Sequence, residues 1–160
     1  MLAAVIVCVP VFACAQSHRA GGAFVAARVG ANLVGNTYRV RQAKAVAGFG
    51  ASGGWFLSRF WAAELEVWSR SNNPDSHVGP ERLYSLSAQR LYSRIGVQPY
   101  LAGGFAILRS QRATHLQVQV TAGVRLPLAS RLALDVDLRG NGGGSTMIVR
   151  PTMAAVYFFQ

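Results

Sequence analysis

Four carboxylates occur as two pairs, Glu64 with Glu66 and Asp135 with Asp137, each pair split by one apolar residue. On an extended strand residues i and i+2 share a face, so each pair presents both acids to one side. Arg28, Arg70, Arg125, Arg139 and Arg150 fall on the polar side of their own segments. Such a set can form a network of ion pairs, carry protons or ions, or hold a cation. The ion-pair network is favoured, since a guanidinium stays charged and its planar fork matches a carboxylate. His18, His77 and His115 are isolated, and Asp135 and Asp137 form a strand face before they form a ligand pair. No metal centre is expected. The glycines between Gly140 and Gly144 follow a strand segment, but no helix opens after them, so they read as a loop and not a phosphate cradle.

The elements that must position these residues are strands. His115 to Leu126 is the plainest: Leu116, Val118, Val120, Ala122, Val124 and Leu126 alternate with Gln117, Gln119, Thr121, Gly123 and Arg125. Its length suits a tilted strand crossing a bilayer. Seven further segments read as strands: Ala23 to Leu33, Lys44 to Phe56, Trp61 to Arg70, Arg82 to Tyr92, Pro99 to Arg109, Leu132 to Arg139 and Met147 to Phe159. The second is rich in glycine, and its facing is ambiguous. Short turns at Leu57 to Phe60, Ser93 to Gln98 and Pro127 to Arg131 alternate with loops at Val34 to Gln42, Ser71 to Glu81, Ser110 to Thr114 and Gly140 to Thr146. The expectation is an all-β fold, an eight-stranded antiparallel up-and-down transmembrane β-barrel.

Composition agrees with that expectation. Hydrophobic residues make up 51% of the 160 residues and charged ones only 14%, against roughly 25% charged in soluble globular chains. Beyond the first residues no apolar run is long enough for a spanning helix. Residues 1–15 are uncharged and end in Ala13-Cys14-Ala15, which predicts a cleaved secretory signal ahead of a barrel domain at 16–160. The basic start of such signals is missing here. Lipidation at Cys14 is the alternative, disfavoured by the bulky Phe12. Cys8 and Cys14 are the only cysteines, so the processed chain would have none. The net charge of +10 comes from scattered arginines without a basic run. With an export signal, that points to anionic lipid headgroups and away from nucleic acid.

Period two does not say which face is inward. Three features favour apolar-outward over a soluble lipocalin-like ligand carrier with the faces exchanged. Acids sit centrally on the polar faces; the chain has one lysine with which to cover a wet surface; and aromatics gather at the short turns. Trp55, Phe56, Phe60, Trp61, Tyr92, Tyr100, Tyr157, Phe158 and Phe159 would form a girdle at the membrane interface. Arg90 shares the apolar face of its strand and is expected at headgroup height near the turn. Pro151 is expected at a bulge or strand end.

The glycine-rich segment GFGASGGWF, followed by Glu64 and Glu66, the Pro99-Tyr100 strand start with Gly103-Gly104, and the aromatic last strand resemble the small outer-membrane barrels of Gram-negative bacteria. That family includes the OmpA transmembrane domain and many porin-family proteins. The resemblance implies a monomer in the bacterial outer membrane, delivered by barrel-assembly machinery that reads the strand Met147 to Phe159. Here Phe159 is penultimate, a departure from the usual terminal aromatic. Some relatives are enzymes on lipid A, with a Ser two positions after a strand His; none of the three histidines here has one. The expected role is therefore structural or surface-interacting, with no enzyme activity, no cofactor and a packed polar lumen too narrow for an open pore. A lipid A-modifying enzyme is the alternative. Arg39, Arg41 and Arg112, in or near the loops, are expected to contact lipopolysaccharide.

Overall fold

Eight antiparallel strands close into a barrel in sequence order, each paired with its chain neighbours and the first with the last. They are β1 (Ala23–Asn36), β2 (Arg39–Phe56), β3 (Trp61–Arg70), β4 (Arg82–Leu91), β5 (Gln98–Arg109), β6 (Thr114–Ala129), β7 (Leu132–Gly143) and β8 (Thr146–Phe159). The structure is a computed structural model; it describes residues 20–36, 39–70, 82–93, 95–110, 113–143 and 146–159, with backbone only at 34–36, 39–44 and 146. The expected signal at 1–15 and the Ser71 to Glu81 loop lie outside the described residues. Closure satisfies the ladder of every strand, which hydrocarbon demands of any spanning backbone.

The hairpins are longer than the sequence suggests. The first and last loop-side connections, expected at Val34 to Gln42 and Gly140 to Thr146, shrink to two residues each, because β1, β2, β7 and β8 continue pairing. Asn36 still pairs Arg39 and Gly143 still pairs Thr146. Polar and glycine residues signal loops by composition, yet an extended ladder accommodates them when both partners keep register. The four loop-side connections thus span two, eleven, four and two residues. At the opposite end, Gly96 in the β4–β5 turn has φ +64°, a left-handed conformation that glycine adopts without steric cost.

The alternation sorts side chains as expected, apolar outward. On β6, Leu116 is 69% exposed while Arg125 is fully buried. β3, β4 and β6 keep the strict alternation through their central residues. Pro151 corrects an expectation: it lies within β8 at neither a bulge nor an end, and Gly30 opposite Thr152 and Leu33 opposite Val149 keep one register across it. The bulges fall instead between Val34 and Asn36 and between Pro127 and Ala129.

The aromatic girdle is also corrected. Trp55, Phe60, Trp61, Tyr92, Tyr157 and Phe159 are exposed, but Phe56, Tyr100 and Phe158 are buried in the lumen. Adjacent aromatics on a strand must point oppositely, so only one of each pair can meet lipid. The inward ones, with Phe24, plug the turn end: Phe24–Phe56, Phe56–Phe158 and Phe24–Phe158 ring centres lie 5.6, 6.1 and 6.3 Å apart. Arg90 sits outside as expected, 5.6 Å from the Trp61 ring and 5.4 Å from Tyr92.

Placing a charge on this outer surface should be costly where the same charge near the rim is not. Val118→Arg, in the middle of the outward face, is expected to cost roughly 2–4 kcal/mol, and Leu128→Arg near the turn about 0–1. Urea unfolding in lipid bilayers measures the difference; equal costs would mean the band does not face hydrocarbon.

Candidate functional site

The lumen holds the residues that the sequence singled out. Arg28, Glu64, Glu66, Asp135, Asp137, Arg139 and Arg150 are each at most 5% exposed, and Arg125 is fully buried. Arg139 is the hub. It donates from Nη1 to Glu66 Oε2 at 3.1 Å and from Nη2 to Glu64 Oε2 at 3.4 Å. It also grips Asp137 from Nε at 3.1 Å and from Nη2 at 3.2 Å. Arg28 binds Glu64 and reaches Asp137 Oδ2 at 2.8 Å. Arg150 donates to both oxygens of Glu66 at 3.3 Å.

Neutral donors complete the shells. Tyr100 Oη donates to Asp137 at 2.7 Å, Thr152 donates to the same carboxylate, and Ser85 donates to Glu66 at 3.0 Å. Ser52 accepts from Arg28 Nε at 3.3 Å. Nearer the turns, Arg125 forms a two-pronged pair with Asp135 at 2.8 and 2.9 Å. Its guanidinium lies 5.3–5.8 Å from the rings of Phe158, Phe24 and Tyr100, so a cation caps the aromatic plug. All eight strands contribute at least one side chain to these contacts. Buried charges are tolerated when paired and bonded in this way.

The network lies against an uncharged wall. Ser87 and Gln89 of β4 and Gln117, Gln119 and Thr121 of β6 face inward beside the small residues Ala102 and Ala106 of β5. Both amide atoms of Gln89 and of Gln117 find no partner among the described residues. Unpartnered buried amides carry a desolvation cost that the ion-paired side of the lumen does not.

Two features escaped the sequence reading. The ambiguous β2 turns Gly48, Gly50 and Gly54 inward, and a Cβ on Gly50 would lie 2.6 Å from the Val67 carbonyl oxygen and 2.8 Å from the Trp68 ring. Glycine at alternate positions opposite an aromatic strand was the available signal. On β6, a Cβ on Gly123 would lie 2.7 Å from the Tyr100 ring, so that glycine lets the tyrosine reach Asp137. Arg70 is buried toward the loops, beyond the central network, and with Arg150 and Trp68 it lines a pocket of about 10 Å³, room for a single water. Arg39 and Arg41 belong to β2, not to a loop, and their side chains, like all of Arg112, are outside the described residues. His115 is exposed on β6, and His18 and His77 are outside the described residues. Among the described residues no group of three or more His, Cys, Asp or Glu is placed to hold a metal ion.

No protein-family model and no curated protein matches the chain. Solved structures do. The N-terminal β-barrel domain of Pseudomonas aeruginosa OprF aligns with a TM-score of 0.71 at 16% identity, over 88% of this chain and 98% of that one. Neisserial surface protein A aligns at 0.68 and 16%, over 87% and 99%. Ail, the attachment invasion locus protein of Yersinia pestis, in complex with the heparin analogue sucrose octasulfate, aligns at 0.64 and 14%, over 88% and 99%. The fold is thus that of the eight-stranded outer-membrane barrels, as the sequence resemblance implied.

The network and the amide wall should respond oppositely to neutral substitution. Asp137→Asn removes the negative charge and one of the two acceptor oxygens that serve Arg28, Arg139, Tyr100 and Thr152, and should cost about 3–5 kcal/mol by stranding buried cations. Gln117→Leu removes unpartnered polar atoms and should be neutral or stabilising by up to about 1–2 kcal/mol. Equilibrium unfolding in lipid measures both; a larger loss for Gln117→Leu would reverse the assignment of the two walls.

Proposed function

We propose that the chain is a bacterial outer-membrane barrel with a structural or surface-interaction role, closed to solutes and without enzyme activity. One observation carries this reading: charge and hydropathy are partitioned inside out. The described acids, Glu64, Glu66, Asp135 and Asp137, are all in the lumen and all bonded to arginine. Outside, large side chains such as Val29, Phe49, Phe105 and Leu116 are more than half exposed. A water-soluble carrier would have to expose that surface to water at a cost of about 25 cal/mol per Å², so the reading as a lipocalin-like carrier loses to the membrane.

The occupants of the lumen support the reading that it is closed. Arginines from β1, β7 and β8 reach carboxylates on β3 across the interior, and the three phenylalanines block the turn end. A solute would have to break several buried ion pairs to pass. The role then falls to the outer surface and the loop-side rim, where anionic lipid, lipopolysaccharide included, is the partner that suits a chain of net charge +10. The barrel acts as a monomer, and assembly machinery reads its last strand, Met147 to Phe159.

Expression in a Gram-negative host tests this directly. The protein should fractionate with the outer membrane, run faster on gels unheated than boiled, and give no steady conductance in planar bilayers. Lipid A masses should be unchanged on expression. A water-soluble product ends the membrane reading, a stable conductance ends the closed lumen, and an altered acyl pattern ends the non-enzymatic role.

A further inference from the structure

The strand register places two like charges face to face on the outside of the barrel. Arg82 of β4 pairs directly with Arg109 of β5, and both side chains are exposed. Opposed residues on adjacent strands hold their Cβ atoms about 4.5–5.5 Å apart, and like charges so placed repel. Neither arginine has an ion-pair partner among the described residues, and the four described acids are all inside. Arg90, at the other end of β4, differs: its charge is covered by the Trp61 and Tyr92 rings.

The neighbours of the pair extend it into a row. Ser69 of β3 pairs Arg82, and Thr114 of β6 pairs Arg109, so hydroxyl, guanidinium, guanidinium and hydroxyl stand side by side across four strands. The next outward row toward the turns is Val67, Tyr84, Ile107 and Leu116, and the one after is Leu65, Leu86, Phe105 and Val118. Polar donors therefore begin where the apolar band ends. From Arg82 to Arg90 the strand rises about 26 Å at roughly 3.3 Å per residue. A tilt of about 40° reduces that to about 20 Å across the membrane, close to the apolar height of such barrels. Arg82 and Arg109 thus stand at headgroup height on the loop side.

We infer that the Ser69–Arg82–Arg109–Thr114 row is a binding site for the phosphate group of a phosphorylated membrane lipid in the loop-side leaflet. The inference rests on the membrane reading above and adds to it a place and a ligand chemistry. One phosphate offers several acceptor oxygens, enough for two guanidinium forks and a hydroxyl, and its charge turns a repulsive pair into a clamp. The lipid face below it holds the acyl chains against Tyr84, Ile107 and Leu116. A free polyanion would meet the same cations without using those apolar rows, which favours the lipid.

The test uses the full chain in phosphatidylcholine nanodiscs containing either bisphosphorylated lipid A or lipid A stripped of phosphate, with bound lipid titrated by native mass spectrometry. The phosphorylated lipid should bind about tenfold or more tighter. Arg82→Gln and Arg109→Gln should each weaken it about fivefold, and Arg131→Gln, at the β6–β7 turn, should not. Equal binding of the two lipids overturns the site, as does wild-type affinity in both single variants. Binding of a soluble sulfated polysaccharide without preference for phosphorylated lipid overturns the lipid as its source. Heat-modifiable mobility in plain phosphatidylcholine discs separates the two levels: without it the barrel reading fails, whereas a modifiable barrel without phosphate preference defeats this inference alone.

Discussion

A guanidinium taken out of water must be met by carboxylates, and Arg139 is met by three. Glu64, Glu66 and Asp137 all bond to it, and the first two reach it across the lumen from β3 to β7. That contact fixes how far apart opposite walls of the barrel can stand. It also fixes register: a slip by one residue would move every charge of a strand to the lipid face. The outward apolar band, the height of the arginines outside and the inward turn of the aromatics all follow from keeping these charges inside.

Packing around the hub depends on what glycine leaves out. Trp68 and Tyr100 occupy space where Gly50 and Gly123 lack side chains, and each ring serves the charges. Tyr100 donates to Asp137, and Trp68 lies 5.0 Å from the Arg150 guanidinium. The apparent weakness of a glycine-rich strand is thus the condition for aromatic and ionic groups to share a narrow interior. The opposite wall fills the same narrow interior with amides and small residues in place of charges.

Much of this was legible from alternation alone. The eight strands, the inward set Arg28, Glu64, Glu66, Arg125, Asp135, Asp137, Arg139 and Arg150, and the outward face of β6 follow from period two and the lipid cost of charge. Three things were not. The ends of β1, β2, β7 and β8 were hidden because Asn, Gly and Arg residues resemble loop composition while their backbones keep pairing. Phe56, Tyr100 and Phe158 were assigned to the interface because clustering says where aromatics gather along the barrel but not which face each takes. The pairing of Arg82 with Arg109 needs cross-strand register, and a one-dimensional pattern does not contain it.

The arginine partners of Glu64 and Glu66 lie on β1, β7 and β8, none of which is a neighbour of β3. By contrast, Arg125 and Asp135 face each other within the β6–β7 hairpin and can neutralise as soon as it forms. The two halves of the sheet therefore mature on different schedules. A sheet of β1 to β3 can offer Arg28 to Glu64, but it carries Glu66 without Arg139 or Arg150 until the first and last strands meet at Ala23 and Phe159. Closing the seam is then also the step that neutralises Glu66, so a half-zipped barrel would carry the cost of a stranded inward anion.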